Sequence, residues 1–402
     1  MAMGKNGVRF IHTADWQIGK PFARVDDADK RALLRRERVE VLKRIGKFAA
    51  DRGAEFILVA GDLFDSTTPD KSTVSAACSA IGALGLPVLA IPGNHDHAGP
   101  GSIWEQEFFL REQQSLAPNL RVLLDPEPVD IGGAVLLPCP LTQRQHGEDP
   151  TAWLRDTDAL SGLDTVKPRI VLAHGSVQGF TSDAADEDGM SVPSLLDIER
   201  LVMDQIDYVA LGDWHGTKQI ADKAWYSGTP ELDRFVKGGG HDPGNVLLVD
   251  LPGRGKSPLV EAHPMAGFNW LTEAFSLAGS ESLTALQARL NDLLGGRAQS
   301  DLLELTISGH VGLQDGQTLQ DMLESLRSRL LRLKLDSSVQ FIPSDEEVRA
   351  LTDRSNDPLI AAVAGRLQDS MKQGVGKPEI ARRAFQELYA VVAAQKEARH
   401  AS

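Results

Sequence analysis

The sequence predicts a layered α/β domain with mixed sheets flanked by helices, then a small α+β module and a helical C-terminus. Three observations carry this. Short apolar runs alternate with helical stretches through the first two-thirds of the 402 residues. A turn-rich segment, Pro252 to Pro258 (PGRGKSP), then breaks the pattern and reads as a domain edge. Beyond about Phe268 the order becomes strand, helix, strand, helix, strand, and from Ser344 onward helices alone.

Taken in order, Val8 to Thr13 is a buried strand and Asp29 to Arg52 a long, strongly charged amphipathic helix. Glu55 to Ala60 is a strand, Lys71 to Leu84 a helix and Pro87 to Ile91 a strand. Later strands fall at Ala134–Pro138, Arg169–Ala173, Tyr208–Leu211, Trp225–Ser227 and Asn245–Asp250. Few helices separate these, so part of the sheet is expected to be mixed or antiparallel. The module from Phe268 carries helices at Ser282–Leu294 and Thr318–Leu335 and strands at Leu302–Ser308 and Val339–Ile342. Helices follow at Glu346–Leu351, Pro358–Met371 and Lys377–Arg399, the last two separated by Gly374 to Gly376. The expected domains are residues 1–260, 265–343 and 344–402.

Composition is that of an ordinary globular chain, 42% hydrophobic and 24% charged. No apolar run approaches the roughly 20 residues of a membrane span. Met1 to Gly7 lacks the apolar core of a secretion signal. Cys78 and Cys139 are too few for a disulfide framework, so a cytoplasmic location is expected. The net charge of −14 counts against autonomous DNA binding. It does not exclude it, because cations bound among carboxylates reverse the local sign and a basic partner could add affinity.

The residues that carry chemistry stand just past strands. Asp15, Trp16 and Gln17 follow the first (FIHTADWQ), and Asp62 and Asp65 the second (VAGDLFD). Asn94, His95 and Asp96 follow the third (IPGNHD), His174 ends IVLAH, and Asp213, Trp214 and His215 close YVALGDWH. In α/β sheets ligands gather beyond the carboxyl ends of strands, and glycines there let the chain turn sharply. Singly, each has an ordinary structural reading: a cap for Asp15, a common strand end for Asp62, a hydrogen-bonded core imidazole for His174. GNHD is more specific, because it packs an amide, an imidazole and a carboxylate into one turn. Together, five such strand ends make the donor set of a metal site, with mixed nitrogen and oxygen ligands. His12, inside a strand, reads as packed, and His97 as solvent-exposed; neither reads as a ligand.

This ordered set resembles the calcineurin-like metallophosphoesterases, whose pattern is D-x-H, G-D-x-x-D, G-N-H-D/E, a lone H and G-H-x-H. The resemblance covers about Val8 to Asp250 and implies a metallophosphoesterase sandwich. It implies one metal held by Asp15, Gln17, the bridging Asp62 and His215, and a second held by Asp62, Asn94, His174 and Asp213. His95 would be the non-ligand imidazole that stabilises the transition state or protonates the leaving oxygen, with Asp65, Asp96, Trp16 and Trp214 in support. Two positions depart from the pattern: Gln17 replaces its histidine, and Asp213 replaces the first histidine of G-H-x-H. Oxygens in place of nitrogens favour harder cations, Mn²⁺ first with Mg²⁺ or Fe²⁺ as alternatives, over Zn²⁺. Gln17 is the weaker substitute, coordinating through its carbonyl or holding a water. A degenerate, inactive subunit is the opposing reading.

Within the family the chain is most similar to SbcD-type DNA repair nuclease subunits. HTADWQIGKPF is similar to their H-T-x-D-x-H-x-G start and WYSGTPELDRF to their Y-S-G-S-x-E segment, and the α+β module sits where they carry a capping domain. That resemblance implies a Mn²⁺-dependent DNA exonuclease or endonuclease in DNA repair. In it, a metal-activated water attacks the phosphodiester and His95 assists the leaving group. It also implies docking of the C-terminal helices on an SbcC-type coiled-coil ATPase, and a homodimer. The stripes Ile360, Val363, Leu367, Met371 and Ile380, Phe385, Leu388, Val392 serve either that docking or ordinary packing. Lys30 to Lys47, the most basic stretch, reads as a solvated face or as a phosphate-backbone contact. Trp16 and Trp214 either pack beneath the ligands or meet a base or sugar. Two other functions stay open: a phosphoesterase of a small nucleotide-like molecule, and a non-catalytic DNA-end or partner-binding subunit.

Overall fold

The computed structural model describes residues 7–144, 147–156, 159–177, 194–236, 240–295, 298–373 and 378–400. Residues 1–6, the expected break at Gly374 to Gly376, and Lys377 lie outside them. The chain divides into two units, Met1–Phe268 and Asn269–Ser402.

The first unit opens with β1 (Val8–Thr13), α1 (Ala28–Arg52), β2 (Phe56–Val59), α2 (Lys71–Gly82), β3 (Val88–Ala90), α3 (Glu107–Leu116) and β4 (Leu120–Val122). It continues with β5 (Val129–Asp130), β6 (Val135–Cys139), β7 (Arg169–His174), β8 (Ser176–Val177), β9 (Leu195–Leu196) and β10 (Tyr208–Gly212). Then come β11 (Lys218–Ala221), β12 (Ala224–Tyr226), β13 (Asn245–Leu251) and β14 (Leu259–Pro264). Two six-stranded sheets result, in the orders β14-β13-β1-β2-β3-β4 and β11-β12-β10-β7-β6-β5. Both are mixed: β1 to β4 run parallel with β13 and β14 antiparallel at one side, and β5 and β11 are antiparallel edges of the other.

The sheets bury Phe10, Phe56, Leu58, Leu136, Ile170, Tyr208 and Leu247 in one cluster. A second cluster joins Ile57 and Val59 to Val41, Leu42 and Ile45 of α1 and to Val74 and Ile81 of α2. The first sheet is thus covered on both faces, which is why its strands read as continuous apolar runs. A third cluster covers Val171, Val209 and Leu211 with Leu154, Leu160, Ile198 and Leu201 from loops and short 3₁₀ turns. That explains the scarcity of helices in this stretch of sequence. Helix α1 starts where Asp27 accepts from the amides of Asp29 and Lys30 and stops at Gly53, φ 66°.

Two expectations are corrected. Pro252 to Pro258 is not a domain edge; it joins β13 to β14 as a hairpin with Val249 opposite Val260, and the unit boundary falls after Phe268. The second unit contains β15 (Asn269–Ala278), α4 (Ser280–Leu294), β16 (Asp301–Val311), α5 (Leu313–Arg329), β17 (Arg332–Ser337) and β18 (Gln340–Phe341). The helix expected to reach Leu335 therefore ends at Arg329, and Leu333 and Leu335 pair with Leu303 and Leu305 in a parallel ladder. No glycine or proline marks that switch, so tertiary pairing overrides a helix-compatible run.

Helices α6 (Asp345–Thr352), α7 (Pro358–Gln373) and α8 (Pro378–His400) complete this unit. Ser344 and Glu347 form a reciprocal capping box at α6. The apolar stripes largely serve packing: Ile360, Leu367 and Met371 meet Phe385, Leu388 and Val392 around Leu351 and Ala364. Val363 and Ile380 stay exposed, as do Leu359 and Val391. No helix among the described residues is long and apolar enough to cross a membrane.

Candidate metal centre

Five strand ends, those of β1, β2, β3, β7 and β10, carry the chemistry-bearing residues, and they meet at one edge of the paired sheets. The backbone there is unusual. Asp15, Gln17, Asp62 and Asp213 have φ of 53°, 42°, 53° and 99°. For non-glycine residues this left-handed region costs about 1–3 kcal/mol each and persists only where the surroundings enforce it. The enforcement is visible. The amides of Asp15, Gln17 and Ile18 donate to the carbonyls of Gly61, Asp62 and Leu63 at 3.1, 2.8 and 2.9 Å, locking the first two loops together. The glycines allow close approach as well as turning: a Cβ on Gly61 would run into the His174 ring, and one on Gly93 into Asp62.

Asp15, Asp62 and His174, all buried, bring ligand atoms within 4.8 Å of one another. His174 Nδ1 lies 2.8 Å from the Ala60 carbonyl, and its buried Nε2 has no hydrogen-bond partner. That nitrogen is 3.6 Å from Asp62 Oδ1 and 3.8 Å from Asp213 Oδ1. Asp213 accepts from Ser176 Oγ at 2.7 Å and from Asn94 Nδ2 at 3.2 Å, while Asn94 Oδ1 is buried and unpartnered. Buried polar atoms without partners are costly and rare. A bound cation would give both orphans a partner. His215 Nδ1 is 3.1 Å from Asp233 Oδ1. Metal-binding imidazoles commonly give one ring nitrogen to a carboxylate or carbonyl and the other to the metal, and His174 and His215 each have one ring nitrogen held in that way. The residues present therefore fit divalent cations.

The electrostatics agree. Burial pushes the Asp15 carboxyl up to about 6 against the pull of His215 and His174. Burial would lower His174, but Asp62, Asp15 and Asp213 hold it at about 9.

The other expected residues take distinct places. The His95 amide donates to Asp62 Oδ1 at 2.9 Å, and its Nδ1 is 3.1 Å from the Asp65 carbonyl. Its Nε2 stands 4.0 Å from Asp62 Oδ2. Burial works against its charge, but Asp62 and Asp65 raise its pKa overall. Asp65 also pairs with Lys20 at 3.5 Å. Asp96 is structural, accepting from the amides of Phe64 and Gly93 at 3.0 and 2.7 Å. Trp16 is buried beneath the site with Nε1 on Thr13 Oγ1. Trp214 is half-buried and stacks on His241 at 4.4 Å. Gln17 Oε1 accepts from Lys20 Nζ at 3.0 Å. His12 is packed as expected, on Tyr208 Oη and the Leu211 carbonyl. His97 is half-buried rather than open to solvent, its Nδ1 accepting from the Gly99 amide.

Sequence reasoning missed Arg38, Lys20, Ser176 and Asp233. Arg38, 1% exposed, donates to the carbonyls of Trp16, Glu231 and Asp15 and to Thr229 Oγ1. Its signal was spacing: in a basic helix it alone among the charged residues shares the buried stripe of Leu34, Val41, Leu42 and Ile45. Thr229 Oγ1 in turn lies 2.9 Å from the Asp15 carbonyl, so the SGTPE segment buttresses the loop that carries Asp15.

The family model described as calcineurin-like phosphoesterase matches residues 8–217, just over half of the chain. Among solved structures, TT1561 of Thermus thermophilus is similar at 17% identity and a TM-score of 0.38, the match covering 64% of this chain and 99% of that one. A second matches at 13% identity and a TM-score of 0.40, again covering 64% and 99%. By the matched span, which takes in every strand end of the site, the chain belongs to the calcineurin-like phosphoesterase family of metal-dependent hydrolases.

Proposed function

We propose that the protein is a two-metal phosphodiesterase acting on DNA, a Mn²⁺-dependent nuclease of the SbcD type that serves DNA repair. The observation that carries the phosphodiesterase reading is the convergence of Asp15, Asp62 and His174 with the unpartnered His174 Nε2 and Asn94 Oδ1. Asp15, Asp62 and His215, with Gln17 beside them, would hold one cation, and Asp62, Asn94, His174 and Asp213 the other. Bound there, divalent cations supply Lewis-acid activation of water and neutralise charge on the phosphoryl group. His95 acts on the proton side. The Asp65 carbonyl accepts from Nδ1, which leaves Nε2 for the substrate, and the raised pKa favours the imidazolium whose Nε2 proton a leaving alkoxide can take. The carboxylate-rich donor set supports a hard cation such as Mn²⁺.

Three features support DNA as the substrate: the HTADWQIGKPF start, the WYSGTPELDRF segment and the α+β arrangement of the second unit. Within that reading the SGTPELDRF stretch has a physical task. Thr229 braces Asp15, and Asp233 orients His215. The exposed Leu359, Ile380 and Val391 are the surface on α7 and α8 to which a coiled-coil ATPase partner would bind. A homodimer through helices of the catalytic domain belongs to the same reading.

The test gives the purified full-length chain linear duplex DNA, single-stranded DNA and a small aryl phosphodiester, each with Mn²⁺, Mg²⁺ or EDTA. Cleavage of both DNA and the small ester with Mn²⁺, abolished by EDTA, is expected. Turnover of the small ester with intact DNA would overturn the nuclease reading in favour of a small-molecule phosphoesterase.

A further inference from the structure

We propose that the two cation sites of this chain are unequal, because Lys20 holds Gln17 away from service as a ligand. The inference rests on the two-metal reading above and concerns residues that reading leaves unassigned. The segment Gln17 to Lys20 is a tight turn: the Lys20 amide donates to the Gln17 carbonyl at 3.2 Å, and Gly19, at φ 99°, takes the position that a type II turn reserves for glycine. The turn folds the lysine back over its own first residue. There Lys20 Nζ contacts Gln17 Oε1 at 3.0 Å, Asp233 Oδ2 at 3.2 Å and Asp65 Oδ1 at 3.5 Å. An ammonium has three protons, and three acceptors engage them.

The consequence falls on one site only. The carboxamide oxygen that would have to replace the family's histidine is occupied by a cation, and a divalent ion brought to it would face that positive charge. Asp233 is shared as well: it orients His215 through Oδ1 and holds Lys20 through Oδ2. The other site carries no such competitor among the described residues. His174 Nε2 and Asn94 Oδ1 have no hydrogen-bond partner, and Asp213 accepts from the neutral donors Ser176 and Asn94. The Asp62–Asn94–His174–Asp213 site therefore fills first, and the Asp15–Asp62–His215 site fills weakly.

The experiment titrates metal-stripped full-length protein with Mn²⁺, reading affinity by calorimetry and occupancy by electron paramagnetic resonance, where a spin-coupled signal reports the filled pair. Wild type should show one tight and one weak site at least tenfold apart. Partners of metal ligands typically tune affinity about 10- to 100-fold. Lys20→Met, which frees the amide, and Gln17→His, which replaces it, should each tighten the weak site by about that factor and leave the tight one unchanged. Circular dichroism confirms that each variant folds. Two equal sites in wild type, or a weak site that tightens in neither variant, would overturn the inference while leaving two-metal binding intact. No Mn²⁺ bound by wild type or by Gln17→His would instead overturn the two-metal reading itself.

Discussion

Replacing Arg38 with methionine should destabilise the first unit by about 4 kcal/mol, although the residue touches no expected ligand side chain. The magnitude follows from what the guanidinium holds. It donates to the carbonyls of Trp16, Glu231 and Asp15 at 2.7, 3.0 and 3.1 Å and to Thr229 Oγ1 at 3.2 Å. Thr229 has one hydroxyl proton within reach of two of those carbonyls, Asp15 at 2.9 Å and Glu231 at 2.8 Å. Methionine therefore leaves the Trp16 carbonyl and one of the other two without a donor. Each buried orphan costs about 1–3 kcal/mol, and the two together about 2–6. Methionine refills the volume of the stem, so little cavity cost is added.

The assay is urea unfolding in EDTA followed by tryptophan fluorescence, since Trp16, Trp104, Trp153, Trp214 and Trp225 all lie in the first unit. With a slope near the upper end of the usual range, the midpoint should fall by about 1–2 M urea. Arg38→Lys should fall between, because an ammonium serves some of these acceptors but not the planar set. A methionine variant whose midpoint moves less than about 0.3 M, with the slope unchanged, would show that the clamp contributes nothing.

Three further outcomes are expected. Burial holds the His12 imidazole at about 3, below its ordinary 6.5, so its contribution to stability is complete above pH 6.5 and is lost as pH falls toward 3. At pH 5 that loss is about 2 kcal/mol, so His12→Gln should shrink the stability difference between pH 8 and pH 5 by that amount; an unchanged difference refutes the assignment. His95→Asn should bind Mn²⁺ as wild type does and lose about 10²- to 10⁴-fold in turnover, and full activity would remove His95 from proton transfer. Gly61→Ala combines φ 90° with a clash against the His174 ring, so it should lower thermal stability by more than about 2 kcal/mol and weaken Mn²⁺ binding; a silent substitution would show that the loop relaxes freely.

Much of this was legible in the sequence, for physical reasons. Strands buried on both faces give continuous apolar runs, and the loops past them need Gly61 for its turn and Gly93 for the close approach of Asp62, so the motifs stood out by position as well as by residue type. What stayed hidden lies in contacts distant along the chain. Nothing local to Arg38 says that its partners are 22 and 193 positions away. Nothing near Arg329 marks the change from helix to strand, which is decided by the open edge of β16. The Pro252 to Pro258 turn misled because hairpins and domain edges use the same residues. Gln17 was noticed for what it replaces, but its partner Lys20 becomes visible only once the turn has folded.

The same contrast explains how the centre tolerates its own chemistry. Asp15, Asp62, Asp65, Asp96, Asp213 and Asp233 crowd one region, with Arg38, Lys20 and Arg234 as the fixed cations near them. A like-charged pair at about 4 Å costs about 4 kcal/mol at an effective dielectric of 20, more than a cap or surface pair returns. Protonation relieves part of this, with burial, reinforced by Asp62, lifting Asp96 to about 7. The four residues at positive φ add strain of their own. Groups outside the expected ligand side chains also hold the site: the backbone lock between the Asp15 and Asp62 loops, and the Arg38 clamp. Divalent cations would relieve the repulsion, adding about 2.7 kcal/mol at a hundredfold excess over Kd. The expected ligands would define what the site binds, while Arg38 and Thr229 hold the backbone at Asp15 and Asp233 holds the His215 ring.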